Sequence, residues 1–226
     1  PNQTFITQTD QFYTLVVLRA TATANTNFSL HSLGSVSLAT FPTGTALALN
    51  TPIDASLTAN SAVDYYFHLS QASSIDIDSL LSSSTAKWQL KNIYGQVQPL
   101  TRFSQSNSDD FGSGSPLYPL AAGDYVLSIE SSQNETVQFA VLDATQSTVL
   151  TQDQDIQNSL QPASQTHLYQ FSAVAGQSYY VDSLMNVANS LGCWRLIDPK
   201  GRVVIDRRTL AQDLGVWQAA YTGQYQ

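Results

Sequence analysis

The chain has 226 residues, 42% of them hydrophobic and 10% aromatic, enough to bury a core and too many for chain-wide disorder. Its formal charge is −8 with only nine Lys and Arg, which excludes a phosphate-tracking surface and so a nucleic-acid partner. The single cysteine, Cys193, excludes an intrachain disulfide, and no apolar run approaches the roughly 20 residues needed for helical membrane insertion.

Charged residues make up only 12%, so Ser, Thr, Gln and Asn carry the surface, a composition common in exported β-proteins. No signal peptide opens the chain, which therefore reads as an excised segment or mature piece. Apolar residues alternate over short windows, with turn residues about every ten positions, the pattern of an all-β sandwich or barrel. "FYTLVVLRA" (Phe12–Ala20) and "TNFSLHS" (Thr26–Ser32) read as strands, followed by "IDASL" (Ile53–Leu57) and "IDIDSL" (Ile75–Leu80). "WQLKNIYGQVQ" (Trp88–Gln98) is a Trp-x-Leu strand with a glycine turn, and "SNSDDFGSGSP" (Ser106–Pro116) is a polar loop. "LAAGDYVLSIE" (Leu120–Glu130) is a Gly-x-Tyr turn running into a strand, closed by "TVQFAVLD" (Thr136–Asp143). Beyond it lie "IQNSL" (Ile156–Leu160), "YYVDSL" (Tyr179–Leu184) and "WRLIDPKGRVV" (Trp194–Val204). A short helical window at 209–214 and a last turn at Gly223, Gln224 and Tyr225 end the series.

The series repeats. Ile53 and Ile156 are 103 residues apart, Asp78 and Asp182 104, Trp88 and Trp194 106, and Gly95 and Gly201 106. Four blocks in one order at nearly one spacing predict two copies of a module. The second copy keeps the Gly-x-Tyr turn but not the strands that follow it in the first. Their counterparts stand at the other end of the chain: Tyr13 aligns with Tyr125 and Phe28 with Phe139, 112 and 111 residues apart. The expected division is therefore 1–33 as tail strands of a preceding module, 45–145 as a complete β-sandwich module, and 149–226 as the head of a further module lacking its last strands. An open sheet edge and a bare apolar face need covering. The N-terminal strands are expected to complete the second module, in cis or from a neighbouring copy. Trp88, Trp194, Tyr125, Tyr13, Phe28 and Phe139 are the expected structural core.

"DYYFHLSQASSIDIDSL" followed by "PLAAGDYVLSIESS", and "HLYQFSAVAGQSYYVDSL" followed by "TGQY", resemble the bacterial pre-peptidase C-terminal (PPC) domain. The resemblance covers most of 45–226 and the strands at 12–32. It implies jelly-roll-like antiparallel β-sandwich modules in tandem, exported to the cell surface or the extracellular space and not catalytic. Such modules accompany secreted enzymes or build adhesin-like arrays, sometimes with calcium. The first copy departs from the pattern with "NIYG" (Asn92–Gly95) in place of "DPKG" (Asp198–Gly201), and "QASS" (Gln71–Ser74) in place of "VAGQ" (Val174–Gln177).

Asp76 and Asp78 alternate with isoleucines, so both carboxylates project from one strand face. Such a pair can hold calcium with help from a loop, and Asp78, Asp182, Asp109 and Asp110 are the candidate metal ligands. The plainer reading is that Asp78 and Asp182 end strands and accept from loop amides. Trp88 and Trp194 recur at one position, which favours packing; Trp217 has no aromatic counterpart and is the exposed ligand-binding candidate. His31, His68 and His167 lack the spacing of a zinc helix, and no Gly-x-Ser-x-Gly elbow, phosphate loop or Cys-x-x-Cys is present. The leading expectation is a non-catalytic structural segment of a large exported repeat protein, a stalk, fibre or adhesin scaffold whose partners are adjacent modules. The alternatives are a carbohydrate- or peptide-binding module, with or without calcium, and an accessory domain of a secreted hydrolase.

Overall fold

A computed structural model describes residues 29, 44–81, 85–92, 95–96, 101–103, 116–184 and 192–226. Tyr13, Phe28, His31, Asp109 and Asp110, and with them the expectation that the first 33 residues supply closing strands, lie outside the described residues.

The described chain is all-β, with seventeen strands and one 3-10 turn at Ala144–Gln146. The helical window at 209–214 is instead the end of one strand, a turn and the start of the next. The first ten strands are β1 (Thr45–Ala46), β2 (Ile53–Leu57), β3 (Ser61–Leu69), β4 (Ser73–Ser79), β5 (Lys87–Asn92), β6 (Gly95–Gln96), β7 (Thr101–Arg102), β8 (Tyr118–Leu120), β9 (Gly123–Ser131) and β10 (Glu135–Asp143). They form two sheets. One runs β1-β3-β9-β5-β6, with β7 also on β5; the other runs β2-β10-β4-β8.

Alternation explains how the sheets meet. Along β3, Tyr65, Phe67 and Leu69 are buried while Asp64 and His68 stay outside. β9 opposes it from Ser61↔Ser131 to Leu69↔Gly123, bringing Tyr125 beside Phe67 and Leu127 beside Tyr65. Phe67, Trp88 and Leu127 from one sheet and Ile75, Ile77, Phe139 and Val141 from the other share a single core. Full burial of each aliphatic residue there stabilises by about 1.5–3 kcal/mol. Asn60 turns β2 into β3 at φ 61, a left-handed conformation that asparagine tolerates.

The later strands are β11 (Thr148–Val149), β12 (Tyr169–Ala173), β13 (Ser178–Val181), β14 (Cys193–Ile197), β15 (Val203–Thr209), β16 (Leu214–Gln218) and β17 (Gly223–Tyr225). They have their own core, made by Ala173, Leu196, Ile205, Ala219 and Tyr225, with Phe171, Tyr179, Trp194, Leu214 and Trp217 against it. Local pairings recur from the first half. β1 lies parallel to β3, and β11 lies parallel to β12. β9 sets Tyr125 opposite Phe67, and β17 sets Tyr225 opposite Phe171. The rings stack alike, at 5.5 Å and 18° for Phe67–Tyr125 and 5.7 Å and 23° for Phe171–Tyr225. Each tyrosine hydroxyl reaches back to the carbonyl four residues earlier, Ala121 at 2.9 Å and Tyr221 at 3.2 Å. Each follows a glycine of positive φ by two positions, Gly123 at 146° and Gly223 at 149°.

The halves differ in cover. β9 continues through Ser131, and its Leu127 and Ile129 are buried opposite Leu90 and Trp88. Trp88 is consequently fully buried, whereas Trp194, its counterpart on β14, is only half-buried. Eight of the nine exposed large hydrophobic residues among those described lie at Val149 or later, including Tyr180, Val181, Leu184 and Val216.

Candidate functional site

The most unusual chemistry lies where the two halves meet. Three residues following from secondary structure build an apolar contact: Leu117 before β8, Ala144 in the 3-10 turn, and Ile197 at the end of β14, with Leu168 and Val203 beside them. Backbone and amide bonds surround it. Thr148 N–H donates to the Leu168 carbonyl at 3.1 Å, and the Gln226 side-chain amide donates to the Ala144 carbonyl at 3.1 Å. Gln226 also exchanges both main-chain bonds with Ile197, at 2.6 and 3.0 Å, extending the β17 pairing onto β14.

β4 turns its polar edge into this joint. Ile75 and Ile77 fill the first core, so the alternation of the strand places Asp76 and Asp78 on the opposite side. That side is not solvent: Asp76 is 4% exposed and Asp78 1%. The segment before β12 covers them. Thr166 N–H donates to Asp78 Oδ2 at 3.0 Å, and the Ser164 hydroxyl donates to the Leu80 carbonyl at 2.6 Å. Asp78 Oδ1 is buried with no hydrogen-bond partner. Arg195 of β14 lies within electrostatic reach of Asp76, while its guanidinium pairs with the exposed Asp206 of β15 at 2.8 Å. Burial pushes the Asp76 carboxyl well above its ordinary value and the neighbouring Asp78 adds to the shift, while a hydrogen bond from the Ile77 N–H and, after it, Arg195 oppose it. Burial likewise raises Asp78, to about 6, against the stabilising bonds from Thr166.

Two other buried carboxylates behave oppositely. Burial alone would raise Asp143, but donation from Ser73, Thr145 and Gln146 outweighs it and holds the group below its ordinary value. Asp198 is buried and accepts from Lys200 N at 2.9 Å, Arg202 N at 3.0 Å and the Arg202 side chain at 2.7 and 2.9 Å, so despite burial it too is lowered. These bonds make "DPKG" an aspartate-anchored turn, completed by Gly201 at φ 75°.

The expected site residues are placed as follows. Trp88, Tyr125 and Phe139 are core residues. Asp182 stands exposed just after β13, in the second half, and is not brought to Asp78. Among the described residues, no three His, Cys, Asp or Glu side chains converge on a point that could hold a metal ion. Trp217 does not stand clear of the surface: it is half-buried, 5.1 Å from the Tyr225 ring and 5.6 Å from Tyr179, because alternation in β16 turns it toward the second core. His68 pairs with Asp124 at 2.7 Å on the outer face of the first half. Nothing in the local sequence marks Arg195 or Thr166 as partners of β4, since both act across more than eighty residues; the only available signal is the alternation that sets two carboxylates on one face.

No family model matches the chain, and no curated protein matches it. A similar solved structure is the crystal structure of the pre-peptidase C-terminal domain of collagenase from Bacillus anthracis, at 20% identity and a TM-score of 0.31, covering 43% of this chain and 93% of that one.

Proposed function

We propose that the chain is a non-catalytic structural segment of an exported bacterial repeat protein, a stalk or scaffold built from jelly-roll-like β-sandwich modules in tandem. The observation that carries this reading is the recurrence of one register and one ring geometry, Phe67 with Tyr125 and Phe171 with Tyr225, in two halves that also pack directly on each other. Direct contact through Leu117, Ala144 and Ile197 makes a stiff pair rather than two beads on a tether. An exported location agrees with the weakly charged surface; no helix among the described residues is long and apolar enough to cross a membrane.

In this reading the division is 1–33, 45–145 and 149–226, and the strands at 12–20 and 26–32 supply the second module with the equivalents of outer β9 and of β10. The exposed Tyr180, Val181 and Val216 and the half-buried Trp194 are what such strands would cover. Donation in cis and donation from a neighbouring copy use the same pairing; the second links copies head to tail. Deleting residues 1–33 tests the division: the first half should keep its stability while the second binds hydrophobic dye or aggregates. An unchanged, monomeric protein overturns it. The scaffold role is tested on a glycan array with and without calcium, where binding under either condition makes the chain a recognition module instead.

A further inference from the structure

We infer that the joint between the two halves is a proton-operated clasp, in which Asp78, buried beside Asp76, must keep its proton for β4 to stay closed against Thr166 and β14. The inference stands whether or not further modules flank the chain, because every group it uses lies between 76 and 206.

The geometry leaves the pair short of compensation. Two carboxyl groups two residues apart on one strand face are both almost wholly withdrawn from water. Their strand neighbours offer nothing charged: on β10 the residues opposite them are Leu142 and Ala140, and β8 presents Tyr118, Pro119 and Leu120. The covering segment supplies the Thr166 N–H to one oxygen, and its titratable member is His167. β14 supplies Arg195, but Asp206 of β15 already shares that guanidinium. When Asp78 ionises, its charge is buried with Oδ1 lacking a donor, and the nearby Arg195 is already shared with Asp206. Opening the joint returns both groups to water and relieves this. If Asp78 keeps its proton, no uncompensated charge is buried at its undonated oxygen and the hydroxyl becomes a donor itself.

The sign follows. The closed joint holds a proton more tightly than the open one, so closure is favoured in mild acid and weakened as pH rises through about 6, where Asp78 ionises. Moving one group from its ordinary 3.8 to about 6 changes the closed-to-open ratio by up to roughly a hundredfold across that window.

Hydrogen exchange of the Thr166 amide, corrected for the intrinsic pH dependence of exchange, reads this opening directly. Protection is expected to fall by about ten- to a hundredfold between mild acid and slightly alkaline pH, while amides in β9 stay level. Asp78→Asn keeps an acceptor for Thr166 and removes the ionisation, so its Thr166 protection should be flat across the window around 6. Protection that is flat in the wild type, or that keeps the wild-type slope in Asp78→Asn, overturns the clasp. Should the variant fold poorly, carboxyl carbon NMR of the unaltered chain decides: an Asp78 midpoint near 6 supports the inference, and one near 3.8 overturns it.

Discussion

Replacing Tyr225 by phenylalanine keeps the ring and removes one oxygen, which isolates the bond that ties the last turn to β17. The ring is fully buried, stacked on Phe171 and edge-on to Trp217, so the phenylalanine fits without a cavity. The lost hydroxyl donates to the Tyr221 carbonyl at 3.2 Å and accepts from Tyr221 N–H at 3.1 Å, so both main-chain groups of Tyr221 lose a partner. A net hydrogen bond contributes about 0.5–1.5 kcal/mol, and stranding a partly buried N–H adds to the loss, giving about 1–2 kcal/mol. At Tyr125 the hydroxyl only donates, to the carbonyl of the exposed Ala121, where water can replace it, so Tyr125→Phe should cost less, about 0.5–1 kcal/mol. Urea unfolding followed by amide-resolved exchange separates the two halves. Because the two tyrosines sit in different cores, the double variant should lose the sum of the single losses within about 0.5 kcal/mol. In a chain of this length each kcal/mol corresponds to about 2–4 °C in Tm. Equal losses at the two sites, or no loss at Tyr225, would refute the hydrogen-bond accounting. A strongly non-additive double variant would refute the independence of the two cores.

Gly123 and Gly223 share a φ near 150°, but a Cβ at 223 would sit 2.9 Å from Pro199 Cβ and Cγ, while one at 123 would meet nothing within 4 Å. Gly223→Ala should therefore lose about 1–3 kcal/mol and Gly123→Ala about 1 kcal/mol, measured by chemical denaturation. Trp88→Ala should cost about 3–5 kcal/mol and largely unfold the first half, detected by loss of exchange protection in β5 and β9, since the indole is fully buried and edge-on to Tyr118 at 5.5 Å. Asp198 and Asp143 have lowered values, so their stabilisation is present above the ordinary 3.8 and is lost as pH falls through the folded values; Asp78 has the opposite sign and destabilises as pH rises through about 6. Thermal melts from pH 2 to 8 should therefore peak near about 4 and decline toward 6, and Asp198→Asn should reduce the slope on the acid side only.

The strands were legible because their causes are local. Alternation along "DYVLSIE" sends Tyr125, Leu127 and Ile129 to one face, which is the face of the first core, and a Gly two residues before a Tyr marks a backbone that only glycine adopts without strain. The Phe–Tyr ring pair that recurs in both halves was not read from the sequence, because it joins strands that only the pairing brings together. Cover was less legible. Trp194 packs against the second core as its match to Trp88 implies, but it stays half-buried, because burial depends on the strand lying across it and no residue described in the second half occupies the positions of Leu127 and Ile129. Trp217 is the exposed candidate in the sequence because no aromatic counterpart aligns with it; the strand pairing supplies one, since Trp217 opposes Tyr179 as Tyr118 opposes Ile75, and its ring turns inward onto Tyr225. Asp76 and Asp78 were correctly placed on one face, yet whether that face met water or another half is set by contacts from residues 164–195, which no local pattern contains.

Comparing the copies position by position also locates the joint. Core positions agree between them: Phe67 with Phe171, Trp88 with Trp194, Leu90 with Leu196, Tyr125 with Tyr225. Joint positions do not. Asp76 aligns with Tyr180, Arg195 with Gln89, and Ile197 with Lys91. A clasp common to both halves would carry its carboxyl pair and its arginine in each. This one needs two acids on β4 of the first half and an arginine after the β14 tryptophan of the second. Apolar contact through Leu117 and Ile197 supplies adhesion that tolerates sliding, whereas the single Thr166 N–H on Asp78 and the placement of Arg195 fix one orientation. Exchanging the two residues, as Asp76→Tyr with Arg195→Gln, gives the joint the side chains of the opposite copy at both positions. It should leave both cores intact by exchange protection in β9 and β12 while Thr166 loses its protection, and retained protection at Thr166 would show that the apolar contact alone orients the halves.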